Sequence, residues 1–212
     1  EALANGPGKP REQNTPAIDK AVKYILSKQQ ASGAFAIPEF GLENYNTSLA
    51  VLGLTSLENP AYKPVLEKAK AFILTAQLDG EPANPRYGSF GYAPGKPGDL
   101  SNTSFSMEAL KALGLEESSP AWKNAVKFIQ RCQDDAELND LPAMKAGRGS
   151  GGFVYVPGES PFGTESAKSE GKRYAPRPYG NMTYEAVKSL LYAGVKQDSP
   201  LLQSAQRWIK EN

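Results

Sequence analysis

Any chemistry in this chain has to proceed without histidine, because its 212 residues contain none. Nucleophile activation of the Ser-His-Asp or Cys-His kind needs an imidazole, as does most acid–base work near neutral pH. Zinc sites of the mixed Asp/Cys/His type go with it. The single cysteine, Cys132, supports neither a disulfide framework nor a multi-cysteine metal site. Carboxylates, tyrosines and lysines remain, and no cofactor motif accompanies them.

Three stretches concentrate such groups. Asp134-Asp135-Ala136-Glu137-Leu138-Asn139-Asp140 is the densest acidic run. Its oxygens make Asp134, Asp135, Glu137 and Asp140 weak candidates for a calcium or magnesium site, although the spacing is not that of an EF-hand. A solvated acidic turn is the alternative. The loop ending in Lys172-Arg173-Tyr174-Ala175-Pro176-Arg177-Pro178-Tyr179 interleaves basic and aromatic side chains. Lys172, Arg173, Tyr174, Arg177 and Tyr179 suit an anion, a sugar or a protein partner, and equally a docked surface loop. Gly147-Arg148-Gly149-Ser150-Gly151-Gly152 has the glycines of a phosphate loop without the Gly-Lys-Ser/Thr that should follow, and reads as a flexible connection. Cys132, between Arg131 and Gln133, reads as a packed small hydrophobe.

The elements that would position these groups recur along the chain. Four segments open on a polar residue and a proline: Thr15-Pro16, Asn59-Pro60, Ser119-Pro120 and Ser199-Pro200. A capping side chain followed by proline at the first helical position predicts a helix start. Each segment then carries alanine three residues before an aromatic, as Ala21/Tyr24, Ala69/Phe72, Ala125/Phe128 and Ala205/Trp208. The first three end in Gln29, Gln77 and Gln133; these are the A helices. Between them lie the B helices, opened by Asn46-Thr47-Ser48, Asn102-Thr103-Ser104 and Met182-Thr183-Tyr184, with apolar residues at helical spacing. Gly53, Gly114 and Gly194 are expected to close them. Glycine–aromatic turns join A to B at Gly33-Ala34-Phe35, Gly88-Ser89-Phe90-Gly91-Tyr92 and Gly151-Gly152-Phe153-Val154-Tyr155. No hairpin can bury its stripe alone, so neighbours must stack.

Alanine, aromatic, isoleucine and terminal glutamine followed by a glycine–aromatic turn resemble the QW-type repeat of squalene–hopene cyclases and protein prenyltransferase β-subunits. Nearly the whole chain from Pro16 to Asn212 takes part. It looks like an N-terminal or partial prenyltransferase/squalene-oxidase-repeat protein of bacterial type. The resemblance implies an all-α fold, an α/α toroid in which outer helices surround an inner ring and an apolar cavity. About seven main helices in repeated hairpins, with long Gly/Pro-rich loops, would form a partial barrel. The expected organisation is an extended segment over residues 1–15 and a toroid domain over 16–212. Its hairpin units fall near 16–58, 59–118 and 119–198, with a final helix at 199–212.

In the cyclases, an Asp-x-Asp-Asp motif opening an inner helix protonates the polyene. Asp99-Leu100-Ser101-Asn102-Thr103 stands at the corresponding point, with Ser101 and Asn102 replacing the later two acids. Strong acidity there relies on carboxylates held together. The resemblance therefore implies a degenerate site, with Asp99 and the loop tyrosines Tyr92 and Tyr155 as catalytic candidates. Asp99 also suits a helix N-terminus. Two motifs of related toroids are absent: the prenyltransferase zinc set, which includes histidine, and the Gly-Cys-Gly-Glu-Gln thioester motif.

The expected function is a binding or scaffolding toroid for a protein or an apolar small molecule. The alternatives are an enzyme on an isoprenoid-like substrate and, behind it, a carbohydrate-active toroid. A balance of 24 lysines and arginines against 23 acids argues against a nucleic-acid partner, and no apolar run is long enough to span a membrane. The unpaired final helix predicts a missing C-terminal half or a second chain completing the toroid. The start at Glu1-Ala2-Leu3-Ala4 predicts a processed, soluble product, exported or periplasmic if the small residues mark a signal-peptidase site, and otherwise a proteolytic nick.

Overall fold

The computed structural model describes residues 10–145, 149–166 and 174–212. They form an all-α fold: α1 (Pro10–Leu26), α2 (Glu43–Thr55), α3 (Lys63–Thr75), α4 (Leu100–Ala112), α5 (Pro120–Arg131), the short α6 (Pro142–Lys145), α7 (Gly180–Tyr192) and α8 (Pro200–Glu211). A small antiparallel pair, β1 (Thr164–Ser166) and β2 (Tyr174–Pro176), sets Thr164 opposite Pro176. The A helices are α1, α3, α5 and α8; the B helices are α2, α4 and α7. No helix among the described residues is long and apolar enough to cross a membrane.

The capping residues act as their chemistry dictates. Ser119 Oγ accepts from the Ala121 N–H and Ser199 Oγ from the Leu202 N–H, each at 3.4 Å, ahead of Pro120 and Pro200. Asn59 opens a 3-10 turn, Pro60–Tyr62, that runs into α3. The first A helix departs from expectation. It begins at Pro10, inside the segment expected to be extended, and holds Pro16 within it.

The B helices form a row in which α2 packs on α4 and α4 on α7. Behind it, α3 touches α2 and α4, α5 touches α4 and α7, and α8 packs on α7. This placement explains the burial pattern. The A helix α5 buries one stripe: Ala121, Trp122, Ala125, Phe128 and Ile129. The B helix α4 is covered on several sides, with Asn102, Thr103, Ser104, Ser106, Met107, Ala109 and Leu110 all inside. Small Ser48, Ser104 and Ser106 let neighbouring helices approach closely.

The same bonds recur in each hairpin. Thr47, Thr103 and Thr183 Oγ1 accept the backbone N–H of Phe35, Phe90 and Phe153 at 2.8, 3.0 and 3.1 Å. Gln29, Gln77 and Gln133 Nε2 donate to the carbonyls of Gly33, Gly88 and Gly151. Each also donates into the first turns of the next A helix, to Val65, Ala121 and Leu201. The turn glycines, at φ 94°, 85° and 90°, press against that helix. A Cβ on Gly33, Gly88 or Gly151 would sit 2.3, 1.9 or 2.3 Å from the carbonyl oxygen of Lys68, Asn124 or Ser204.

One closing residue differs from the sequence reading. Gly114 (φ 63°) and Gly194 (φ 78°) end α4 and α7 in the left-handed conformation. Gly53 instead lies inside α2, and Glu58 (φ 51°) takes the closing role, eleven residues after Thr47 as Gly114 and Gly194 are after Thr103 and Thr183.

Candidate functional site

The turn of one hairpin lies on the N-terminus of the preceding B helix. The Asn44 N–H donates to the Tyr92 carbonyl at 2.8 Å, and the Leu100 N–H to the Tyr155 carbonyl at 2.9 Å. The second pairing sets Tyr155 beside Asp99, the residue before Leu100. The Tyr155 phenol lies within electrostatic reach of Asp99 and Tyr92. Burial raises its pKa first, and the Asp99 charge adds to the rise, so the phenol keeps its proton. Tyr179 also feels Asp99: burial, then the Asp99 charge, raises its pKa, and its ring meets Phe162 at 4.6 Å.

Asp99 is buried and is the N-cap of α4. Its Oδ1 accepts from the Asn102 N–H at 2.8 Å and its Oδ2 from the Asn102 amide at 2.7 Å. Both oxygens thus face donors on Asn102. A carboxylate at position 102 would force one member of the pair to hold a proton; the amide there supplies a hydrogen instead. Asn102 Oδ1 is itself buried without a protein partner.

The other candidates are placed apart. Asp134 accepts from Ser150 Oγ at 2.6 Å, Asp135 from Ser204 Oγ at 2.7 Å, and Asp140 from Arg131 Nε at 2.9 Å. Glu137 points to solvent. These four carboxylates do not converge: among the described residues no group of three or more metal-binding side chains stands together. Hydrogen bonds from Arg131 are the largest cause holding the Asp140 carboxyl well below the usual range. Cys132 is fully buried, its thiol pKa raised by that burial first and by Asp99 next.

Lys172 and Arg173 lie outside the described residues. Tyr174 is in β2 opposite Ser166. Arg177 and Tyr179 line a cavity of about 780 Å³ with Ser150, Phe162, Arg207 and Trp208. Nothing in the motifs pointed to Arg207 or Trp208 as wall residues; the tight fit of Gly152 against the indole, where a Cβ would lie 2.6 Å from Nε1, brings them there.

A second cluster was also missed, because its members lie on different helices. Lys188 bridges Glu108 and Glu185, each at 2.8 Å. Ser104 Oγ donates to Glu185, and Lys188 sits 5.9 Å from the centre of the Phe105 ring. Burial lowers the Lys188 pKa, but bonds to the two glutamates outweigh it and leave it raised. Phe105 meets Tyr45 edge-on at 5.2 Å, so the middle of the B row carries both aromatic and charged groups, half-buried. Counting back four residues from each threonine shows Glu43 to be the α2 counterpart of Asp99.

The class defined to this point is an all-α protein of stacked helical hairpins with a tyrosine–carboxylate cluster at the mouth of its central B helix. No family model matches the chain. Over 113 residues, 53% of the chain, it is 33% identical to the terpene cyclase–glycosyl transferase fusion protein fsoA of Humicola fuscoatra. The matched stretch spans 8% of that protein's length. The chain is thus distantly similar to a terpene cyclase fusion.

Proposed function

We propose that this chain is an arc of an α/α toroid that binds an apolar ligand along its B row without protonating it. The bonding of Asp99 carries this reading. Its two oxygens are taken up by the Asn102 N–H and amide, and Ser101 and Asn102 stand where the cyclase motif has acids. Asp99 then acts as a positioning residue that caps α4. Tyr45 and Phe105 offer half-exposed rings for an apolar molecule, and the Glu108–Lys188–Glu185 network keeps the neighbouring wall polar.

Squalene serves as the probe. Protein equilibrated with labelled squalene and passed over a desalting column should retain it, and extraction should return it unchanged. Phe105→Ser and Tyr45→Ser should each weaken retention by about tenfold, as loss of a central aromatic contact does. Retention no greater than that of an unrelated protein would sink the binding reading.

The second reading, an enzyme on an isoprenoid-like substrate, is favoured by one observation. Tyr155 lies near Asp99 and Tyr92, at the position where the cyclase motif has its acids. In that case Asp99 would be the acid, with the tyrosines shaping its environment.

A further inference from the structure

Two buried side-chain oxygens of the central B helices, Asn44 Oδ1 in α2 and Asn102 Oδ1 in α4, have no hydrogen-bond partner among the described residues. Both side chains are enclosed, Asn44 at 0% and Asn102 at 1% exposure. Neither amide can be turned round. Asn44 Nδ2 donates to the Gly91 carbonyl at 2.8 Å and to Ser106 Oγ at 2.9 Å, and Asn102 Nδ2 donates to Asp99 Oδ2 at 2.7 Å. A carbonyl and a carboxylate only accept, so each NH2 group has to face them and each amide oxygen has to face away. Buried polar groups are nearly always paired, and where the protein supplies no partner an ordered water usually does.

The helix register places both oxygens in the α2–α4 contact. Phe105 and Ser106 both meet α2, Phe105 at Tyr45 and Ser106 at Asn44. Asn102 lies three and four residues before them, one turn nearer the start of α4 on the same face. Asn44 stands in the first turn of α2, under the Gly91-Tyr92 turn whose carbonyls it binds through side chain and backbone. The Ser106 hydroxyl, also fully buried, accepts from Asn44 and still has a hydrogen to donate. Two spare acceptors and one spare donor therefore share one enclosed stretch of the contact.

We propose that this stretch is a binding site for a single buried water molecule, which donates to Asn44 Oδ1 and Asn102 Oδ1 and accepts from Ser106 Oγ. Three bonds to polar partners are what an internal water typically makes. A metal ion suits the place less well. The amide oxygens are neutral, the Asp99 carboxylate is turned toward Asn102, and no group of three metal-binding side chains stands together among the described residues. The water ties Asn102 to α2 and so holds its amide at both ends, Nδ2 on Asp99 and Oδ1 on the water. Asn102 is thereby kept from swinging its oxygen toward Asp99. The site is independent of ligand binding along the B row: protein that fails to retain squalene would leave it standing, and loss of the water site would leave retention untouched.

The test has two arms. A high-resolution crystal structure of the full wild-type chain, without ligand, should show a spherical peak about 2.8 Å from both asparagine oxygens. Crystals soaked in rubidium in place of sodium should show no anomalous signal at that peak. In solution, urea unfolding of wild type, Asn44→Ala, Asn102→Ala and the double variant forms a cycle between two side chains that share no direct bond. A shared water makes the second loss smaller than the first. The double variant's folding constant should therefore exceed the value expected from multiplying the two single effects by about fivefold. Three results would overturn the proposal: no peak touching both oxygens, a rubidium signal in its place, or single effects that multiply without excess.

Discussion

Replacing Gln133 by alanine should be far more costly than the same change at Gln29. Gln133 is fully buried, and its Nε2 donates to Gly151 O at 2.9 Å and Leu201 O at 3.0 Å. These bonds fasten the third turn to the fourth A helix. Each contributes about 1 kcal/mol net, and a buried carbonyl left unpaired costs about 1–3 kcal/mol. Part of that is offset because Gln133 Oε1, itself buried and unpartnered, also disappears. The expected loss is about 3 kcal/mol for Gln133→Ala, against about 1 kcal/mol at half-buried Gln29, where water can replace the side chain. Gln77, also half-buried, with bonds of 3.0 and 2.9 Å, should fall near Gln29. Urea unfolding measures this directly. With a slope of about 2 kcal/mol/M, the midpoint should drop by about 1.5 M for Gln133→Ala and about 0.5 M for Gln29→Ala, at constant slope. Gln133→Glu keeps the volume but offers acceptors to two carbonyls, so it should lose at least as much. A Gln133→Ala midpoint shift no larger than that of Gln29→Ala would refute the reasoning.

Other expectations follow from single contacts. Glu58→Gly should stabilise by about 1 kcal/mol, because a residue with a Cβ is held at φ 51°, whereas Gly114→Ala should cost a similar amount; thermal unfolding reads both. Asp140, held low by Arg131 and Lys127, contributes stability that is present above the unfolded carboxylate pKa and lost as pH falls toward its folded value. The stability gap between wild type and Asp140→Asn should therefore be flat above pH of about 5 and shrink below about 4, modestly, since the side chain is 40% exposed. Cys132 should resist a disulfide reagent at neutral pH in the native state and react at the rate of unfolding, because burial both blocks access and disfavours the thiolate; rapid labelling of folded protein would contradict its placement.

Much of the fold was legible because its signals are local. An N-cap with proline, alanine before an aromatic, and threonine entering a helix each encode one contact, and the three threonine bonds to Phe35, Phe90 and Phe153 show the spacing at work. Helix ends were read less well. Gly53 carries the right residue type at the wrong place, while Glu58 adopts the left-handed conformation without being glycine. The acidic run illustrates why density does not make a site. Asp134, Asp135 and Asp140 are neighbours in sequence, but the turn sends them to Ser150, Ser204 and Arg131. The cluster at Asp99 was half legible. The resemblance named Asp99, Tyr92 and Tyr155, but the backbone bond that sets Tyr155 beside Asp99 joins residues many positions apart. The Glu108–Lys188–Glu185 network crosses between two helices, and no local pattern announces it.

Asp99 either donates a proton or caps a helix. The most direct measurement is incubation of wild type and Asp99→Asn with squalene, followed by extraction and mass-resolved chromatography for cyclised product. Unchanged squalene should be recovered from both proteins, with Asp99→Asn lowered in thermal stability by the weakened cap, by about 1 kcal/mol. Cyclised product from wild type that vanishes in Asp99→Asn would contradict this expectation and establish Asp99 as the acid.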